Sequence, residues 1–270
     1  MPSINLNGTS IYYEEHGVGM PLVFIHGHGL MHTMFHTQIE HFSKHYRVIV
    51  CDLRGNGHSG KLKESYRDTI ETQCIDLIIL LNELHLHSAV FVGMDYGGII
   101  VQHLAVQYPE RVQAIVIADG CSAEAASIFL KALQYAAAYS SILFYLAPSE
   151  SSFPATRLLY KKWALSYAII RKSLLMKRPA ELYKQKLAMI HYPSTARLQE
   201  ITCPTLILAG DADVYRIECT KVIETRILDV KVEILTDCMY PSNLCQPERF
   251  NSTLERFLVT MPNLKEQAGG

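Results

Sequence analysis

The chain has 270 residues, enough for one large domain or for a core with an insertion. Its 25 basic and 26 acidic residues leave a net charge of −1. With no long run of either sign, this balance argues against nucleic acid or an anionic membrane as a partner. Apolar residues make up 49% of the sequence, and no uninterrupted apolar stretch reaches the roughly 20 residues of a membrane span, so we expect a large buried core.

The cysteines and the N-terminus bear on the compartment and on bound metals. The cysteines show neither C-x-x-C nor zinc-like spacing and occur at Cys51, Cys74, Cys121, Cys203, Cys219, Cys238 and Cys245. Their odd number and scattered positions favour reduced thiols. The first residues lack the basic and apolar segments of a signal peptide. We therefore expect a cytoplasmic protein with neither a metal nor a cofactor.

Predicted strands and helices alternate along the chain. The apolar patterns predict, in chain order, strands at 10–15, 22–25 and 47–51, a helix at 69–84, a strand at 89–92, a helix at 99–108, strands at 112–118, 205–209 and 230–235, and a helix at 247–258. Fully apolar strands that alternate with helices indicate an α/β fold, a mostly parallel twisted sheet flanked by helices. Such sheets place functional groups beyond the carboxyl ends of their strands.

The alternation stops between residues 121 and 201. This segment is rich in Ala, Leu, Tyr and Lys, with apolar residues at helical spacing and prolines between the helical stretches. It is too long for a loop in a compact domain. We predict a helical cap at 121–201, inserted between the core segments 1–120 and 202–270. We expect one or two of its seven tyrosines to face a cleft: Tyr135, Tyr139, Tyr145, Tyr160, Tyr167, Tyr183 and Tyr192.

A glycine-flanked turn follows the predicted strand 89–92. It reads Gly93-Met94-Asp95-Tyr96-Gly97-Gly98 and leads into the helix after it, with small residues that allow the backbone to pass close to that helix. This is the shape of the G-x-S-x-G nucleophile elbow, with aspartate in place of serine. Asp95 is ionised near neutral pH and needs no base to act as a nucleophile toward carbon.

Further motifs, taken together with this turn, resemble the α/β-hydrolases over nearly the whole chain. The matching segments, in family order, are His26-Gly27-His28-Gly29, Asp52-Leu53-Arg54-Gly55-Asn56-Gly57-His58-Ser59, the elbow, Pro109-Glu110-Arg111-Val112, Leu208-Ala209-Gly210-Asp211-Ala212-Asp213 and Asn243-Leu244-Cys245-Gln246-Pro247-Glu248. The resemblance implies the α/β-hydrolase fold. The aspartate in the elbow is similar to that of haloalkane dehalogenases and epoxide hydrolases.

The resemblance also implies roles for individual residues. The family mechanism needs a nucleophile, an acid and a histidine that the acid orients. Asp95 matches the nucleophile and Asp213 the acid, whereas the neighbouring Asp211 is interpreted as a turn former. Asp119 stands where some dehalogenases carry their acid, and a capping role for it is the alternative. At the histidine position the chain has Tyr240, which at neutral pH is a donor and not a base.

No histidine follows His191, so an atypical triad is expected. His28 occupies the position that lines the oxyanion hole in the family. It is a candidate for a substitute base, or its imidazole fills space while its backbone N–H acts as the donor. The resemblance implies an oxyanion or leaving-group site formed by the backbone N–H groups of His28 and Tyr96.

Three functions remain open at this point. The first is hydrolysis of a small, largely apolar organic substrate through Asp95, as in dehalogenases and epoxide hydrolases. The second is a non-hydrolytic enzyme, a cyclase, lyase or decarboxylase, with Asp95 as general base and Tyr240 and His28 as donors. The third is a non-catalytic protein that binds a ligand or partner. A small molecule is the expected partner, and the sequence does not determine the oligomeric state.

Overall fold

The computed structural model of the protein describes residues 3–120, 128–193 and 195–261. Within them the strands are β1 (Ser3–Leu6), β2 (Thr9–His16), β3 (Met20–Ile25), β4 (Tyr46–Cys51), β5 (Ala89–Met94), β6 (Val112–Ala118), β7 (Thr205–Gly210) and β8 (Val230–Leu235). The helices are α1 (His36–Phe42), α2 (Thr69–Glu83), α3 (Tyr96–Gln107), α4 (Ile128–Leu146), α5 (Phe153–Leu159), α6 (Ala164–Leu175), α7 (Pro179–His191), α8 (Val214–Glu224), α9 (Ser242–Cys245) and α10 (Pro247–Val259).

The strands of the described residues form one sheet with the order β1-β2-β4-β3-β5-β6-β7-β8. All neighbours from β4 to β8 run parallel, and β2 pairs antiparallel with both β1 and β4. The predicted α/β fold with a mostly parallel sheet is therefore confirmed. Because parallel strands share one direction, the carboxyl ends of β3, β5, β6, β7 and β8 meet at one edge.

Helices cover both faces of the sheet, which explains why the central strands are apolar throughout. In β3, Val23 and Ile25 pack on one face together with α2 and α3. Leu22 and Phe24, which alternate with them, pack on the other face together with α1 and α10. The strand residues of each face are fully enclosed, so the central sheet is a rigid platform for its carboxyl edge.

The structure differs from the prediction at the start of one helix and at elements that have no predicted counterpart. The helix expected at 99–108 begins at Tyr96, directly after the elbow. This start was missed because Gly97 and Gly98 are poor helix formers. β1 and α8 were not predicted at all. β1 has only four residues. α8 has a weak apolar pattern, and its one sequence signal is the aspartate that caps its first turn.

Four helices, α4 to α7, lie between β6 and β7, where the helical cap is predicted. Residues 121–127 at the start of that predicted segment, and residue 194, lie outside the described residues. α7 is tied to the loop after β4 by the Arg178 guanidinium, which donates to backbone oxygens of Gly57 (2.9 Å) and Ser59 (2.8 Å). In the described part of the chain, no helix is both long and apolar enough to cross a membrane.

Candidate active site

Polar groups converge at the carboxyl edge of the sheet. His28 follows β3, Asp95 follows β5, Asp119 follows β6, and Tyr240 follows β8. They belong to segments that are far apart in the sequence. The parallel arrangement brings these segments to the same edge, as the sequence predicted for chemistry at strand ends.

Asp95 stands at the tip of a tight turn between β5 and α3. Its backbone has φ 51° and ψ −106°, a conformation that non-glycine residues rarely adopt. The turn is so close-packed that a Cβ on Gly93 would lie 2.1 Å from the Gly97 oxygen, and one on Gly97 would lie 2.3 Å from the Ile25 oxygen. The Asp95 backbone N–H donates to the Ala118 oxygen at 2.8 Å. This geometry projects the carboxylate above the edge of the sheet.

The Asp95 carboxylate is buried, and each of its oxygens has a donor. Oδ2 accepts a hydrogen bond from the backbone N–H of His28 at 3.1 Å. Oδ1 accepts one from Nη1 of Arg216 at 3.0 Å. The side chains of Arg216 and Asp95 are only 11% and 7% exposed, so this ion pair is shielded from water. A charge-assisted contact in such surroundings favours the charged carboxylate and fixes its orientation.

Tyr240 lies beside the Arg216–Asp95 ion pair. Its ring stacks under the guanidinium, whose central carbon is 4.0 Å from the ring centroid. Its hydroxyl lies against Gly27, where a Cβ would be 2.5 Å from the hydroxyl oxygen, and it forms no hydrogen bond with the described residues. Burial, reinforced by the Asp95 charge, raises the pKa of Tyr240 well above its ordinary value. The phenol is therefore a neutral donor and not a base at physiological pH.

Asp119 is fully buried and contacts the segment that carries Tyr240. Its Oδ2 accepts the backbone N–H of Ser242 at 2.7 Å, whereas Oδ1 has no hydrogen-bond partner among the described residues. Burial raises the pKa of Asp119 to about 6 despite the nearby positive charge of Arg216. It thus caps the segment that carries Tyr240 and leaves one carboxyl oxygen available.

Asp213 is connected to the site through Arg216. It caps α8 by accepting the Arg216 backbone N–H at 3.2 Å, and its Oδ2 lies 3.2 Å from Nε of the same arginine. Sequence reasoning missed Arg216. The sequence carries one signal for it, since Arg216 comes three residues after Asp213. It therefore lies in the first turn of the helix that follows β7, and that turn lies at the carboxyl edge.

Among the described residues, the imidazole of His28 forms its hydrogen bond with α7 and not with the Asp95 carboxylate. Its Nε2 is 3.0 Å from the backbone oxygen of Leu182 on α7. Burial lowers the pKa of His28, which favours the neutral ring. The Tyr96 side chain points into the core, where its hydroxyl donates to Gln73 Oε1 at 2.6 Å. At Tyr96 the backbone N–H, and not the side chain, is therefore the candidate donor for the predicted oxyanion site.

A cavity of about 460 Å³ opens above Asp95. His28, Asp95, Arg216 and Tyr240 line it from the core, and residues of α4 and α7, including Tyr135 and Lys186, line it from the opposite side. A second cavity of about 260 Å³ shares His28 and Tyr240 with the first. Its wall is mostly apolar and includes Tyr145 and Tyr160.

The other tyrosines named from the sequence have other surroundings. Tyr139 is exposed and bonds His191, and the Tyr192 hydroxyl is 2.8 Å from Nδ1 of His103. Tyr167 packs against the apolar core on the α10 side of the sheet. Within residues 3–120, 128–193 and 195–261, no group of three or more His, Cys, Asp and Glu side chains is arranged to hold a metal ion.

Comparisons with known proteins agree with this architecture. Residues 20–213 match a family model described as the alpha/beta hydrolase fold. Over 109 residues, 40% of this chain, the sequence is 34% identical to bifunctional epoxide hydrolase 2 of Sus scrofa, but the match spans only 20% of that protein. It is 26% identical to 3-oxoadipate enol-lactonase 1 of Acinetobacter baylyi over 89% of both chains. A hydrolase structure from Pseudomonas aeruginosa PA01 superposes with a TM-score of 0.84 at 23% identity, over 95% of this chain and 97% of that one, a likeness of fold alone.

Proposed function

Because the chain belongs to the α/β-hydrolase fold family, we propose that it is an enzyme that attacks a small, largely apolar substrate with the Asp95 carboxylate. The product of that attack is an ester between Asp95 and the substrate carbon. Substrates of this class carry a carbon with a leaving group or a strained ring, as in haloalkanes and epoxides. The matched part of the epoxide hydrolase from Sus scrofa is consistent with this class.

One observation carries the proposal, namely the position of the Asp95 carboxylate between two donors at the floor of the cavity. The His28 N–H binds Oδ2 at 3.1 Å and Arg216 binds Oδ1 at 3.0 Å. A carboxylate held as an anion by such donors is a weak base, but it remains a nucleophile toward carbon. The donors also fix its direction, which lowers the entropy cost of reaching the attacking geometry.

The first chemical step replaces one bond at the substrate carbon with another. A carboxylate oxygen of Asp95 forms a bond to the substrate carbon as the carbon–halogen bond or one carbon–oxygen bond of the epoxide breaks. A halide leaves with the bonding electrons, or the opened epoxide oxygen keeps them and takes a proton. Tyr135 and Lys186, which line the cavity opposite Asp95, are the proposed donors for that leaving group.

The second step, hydrolysis of the ester, needs water to lose a proton as it attacks the Asp95 carbonyl carbon. The oxyanion then forms on the oxygen held by the His28 N–H, with the Tyr96 N–H as the second proposed donor. Tyr240 cannot accept the proton at neutral pH. We therefore propose that the ester forms readily and hydrolyses slowly, and that α4 to α7 act as a cap that selects the substrate.

Intact-protein mass spectrometry tests the first step. We expect incubation with styrene oxide or bromobutane to add the mass of the probe, less hydrogen bromide for the latter, and to map to the peptide that contains Asp95. Asp95→Asn should abolish the adduct. Asp211→Asn, which changes an exposed aspartate at the end of β7, is the matched control and should leave it unchanged. An adduct that persists in Asp95→Asn contradicts the proposal.

Tyr240→His tests the second step on the same adduct. A new imidazole at this position can activate water, with Asp119 or Asp213 as the acid that orients it, and a positioned general base contributes about 10²–10⁴-fold. We therefore expect the adduct to decay roughly a hundredfold faster or more in Tyr240→His than in the parent. Tyr240→Phe, which removes the hydroxyl without adding a base, should not accelerate the decay.

A second function is favoured by the Tyr240 hydroxyl, which is buried next to Asp95 without a hydrogen-bond partner among the described residues. A free phenol beside a carboxylate suits non-hydrolytic chemistry, in which Asp95 accepts a proton and Tyr240 polarises a substrate oxygen. No adduct then forms, but Asp95→Asn and Tyr240→Phe both abolish turnover. If neither an adduct nor turnover is found for any probe, a ligand-binding protein is the remaining interpretation.

A further inference from the structure

The charges of this chain are unevenly distributed, although the total is close to neutral. Residues 128–193 contain ten of the 25 basic residues but only two of the 26 acidic ones. The rest of the chain, with 15 basic and 24 acidic residues, is correspondingly acidic. α4 to α7 are therefore basic relative to the rest of the chain.

The outward stripe of α6 combines basic and apolar side chains. Leu165, Ala168, Arg171, Lys172 and Leu175 recur at helical spacing and are all exposed. The opposite side of the helix is buried at Ser166 and Ser173. This is the reverse of an ordinary surface helix, whose exposed stripe carries both signs of charge and few leucines.

α5 continues this surface beside α6. The Arg171 guanidinium stacks over the Phe153 ring at 4.9 Å, which places the two helices side by side. Arg157, Leu158, Leu159 and Lys161 at the end of α5 are exposed, with Leu158 76% exposed. None of the exposed basic residues Arg157, Lys161, Arg171 and Lys172 forms an ion pair within the described part of the chain.

We propose that this surface of α5 and α6, the basic outer face, docks on an anionic lipid bilayer. Exposed leucines enter the boundary between headgroups and acyl chains, while the lysines and arginines beside them bind lipid phosphates and carboxylates. Their long alkyl stems lie along apolar surface and keep the charge at headgroup level. A protein partner would need a matching rigid surface, whereas a fluid bilayer accommodates interleaved leucines and cations without one.

The second cavity supports this occupant independently of charge. Its wall includes Phe144 near the end of α4, Leu174 near the end of α6, and Lys177 just after α6. Phe144 is also 55% exposed, so this wall reaches the protein surface. The segment after α4 is joined to the end of α6, because Ser149 Oγ donates to the Leu174 oxygen at 2.6 Å. An apolar molecule dissolved in a bilayer would meet the protein where an apolar cavity approaches the surface.

Vesicle co-sedimentation of the full chain tests the proposal. We expect the protein to pellet with phosphatidylcholine vesicles that contain phosphatidylserine, to remain in solution with phosphatidylcholine alone, and to be released by high salt. Arg171→Gln combined with Lys172→Gln should lower the partition coefficient about 25-fold, at roughly fivefold for each charge near the surface. Leu158→Ser combined with Leu159→Ser should lower the partition coefficient at least tenfold, because burying one leucine side chain changes it by roughly tenfold.

The matched control combines Lys44→Gln with Leu228→Ser. Both residues are exposed and lie outside α4 to α7, with Leu228 88% exposed, so this variant should bind vesicles like the parent. Equal binding to vesicles with and without phosphatidylserine would overturn the proposal. So would the absence of binding to vesicles that contain phosphatidylserine, or vesicle binding that the control loses equally. A concentration-dependent dimer that the basic-outer-face variants abolish in sedimentation velocity would assign this surface to a second copy of the chain instead.

Discussion

At the scale of single residues, Asp119 offers a direct test of the electrostatics of the site. Its carboxyl is buried, with one oxygen on the Ser242 N–H, and burial raises its pKa from 3.8 to about 6. The folded chain therefore binds this proton more tightly than the unfolded chain. The resulting contribution to the free energy of unfolding is fully present below pH 3.8 and is lost as the pH rises through about 6.

Asp119→Asn keeps the acceptor for the Ser242 N–H but cannot ionise. We expect the variant to gain about 2 kcal/mol relative to the parent between about pH 4 and pH 7, measured by urea unfolding at both values. Asp211 is the control of opposite sign, because the Cys238 N–H lowers its pKa. The contribution of Asp211 is present above pH 3.8 and is lost only as the pH falls below that value, so Asp211→Asn should keep a nearly constant difference from the parent between about pH 4 and pH 7. If the difference in the free energy of unfolding between Asp119→Asn and the parent does not vary with pH, the pKa of Asp119 is not raised in the folded protein.

At the scale of elements, the elbow depends on the close approach of β5, α3 and β3. A Cβ on Gly97 would lie 2.3 Å from the Ile25 backbone oxygen, whereas one on Gly98 would lie 3.3 Å from a methyl of Ile117. We expect Gly97→Ala to lower the free energy of unfolding by about 3 kcal/mol, because two backbones must move apart. Gly98→Ala should stay within about 1 kcal/mol of the parent, since the methyl can yield and alanine favours the helix. Urea unfolding of both variants decides between a close-packed and a loose elbow.

At the scale of the whole molecule, a few polar contacts add to the apolar packing that holds α4 to α7 on the core. Arg178 donates to the Gly57 and Ser59 oxygens, and Lys184 donates to the Leu62 oxygen at 3.0 Å. Losing the Arg178 contacts should destabilise this attachment by about 2 kcal/mol.

Arg178→Gln should therefore raise hydrogen exchange of the α7 amides roughly thirtyfold while leaving the amides of β5 unchanged. Arg157→Gln, a change of the same type at an exposed position, should alter neither set of amides. Faster exchange in β5 as well would show that the helices and the sheet open as one unit.

The sequence by itself determined the sheet, its parallel direction and the position of Asp95. These features depend on short-range patterns, since apolar runs form buried strands and a glycine-flanked turn after a strand forms a tight elbow. It also predicted that Asp95, Asp119 and Asp213, which follow the ends of strands, lie near one edge. That prediction requires only the common direction of the strands.

Only the tertiary structure decided which of these groups contact one another. Arg216 bonds Asp95 and stacks on Tyr240, although the three residues lie on separate segments of the chain. Asp213 pairs with the same arginine, and Asp119 accepts the Ser242 N–H in the segment that carries Tyr240. Such pairings depend on side-chain directions and on packing between segments distant in sequence. No local pattern encodes them, because the free energy that selects them arises only after the sheet has brought the segments together.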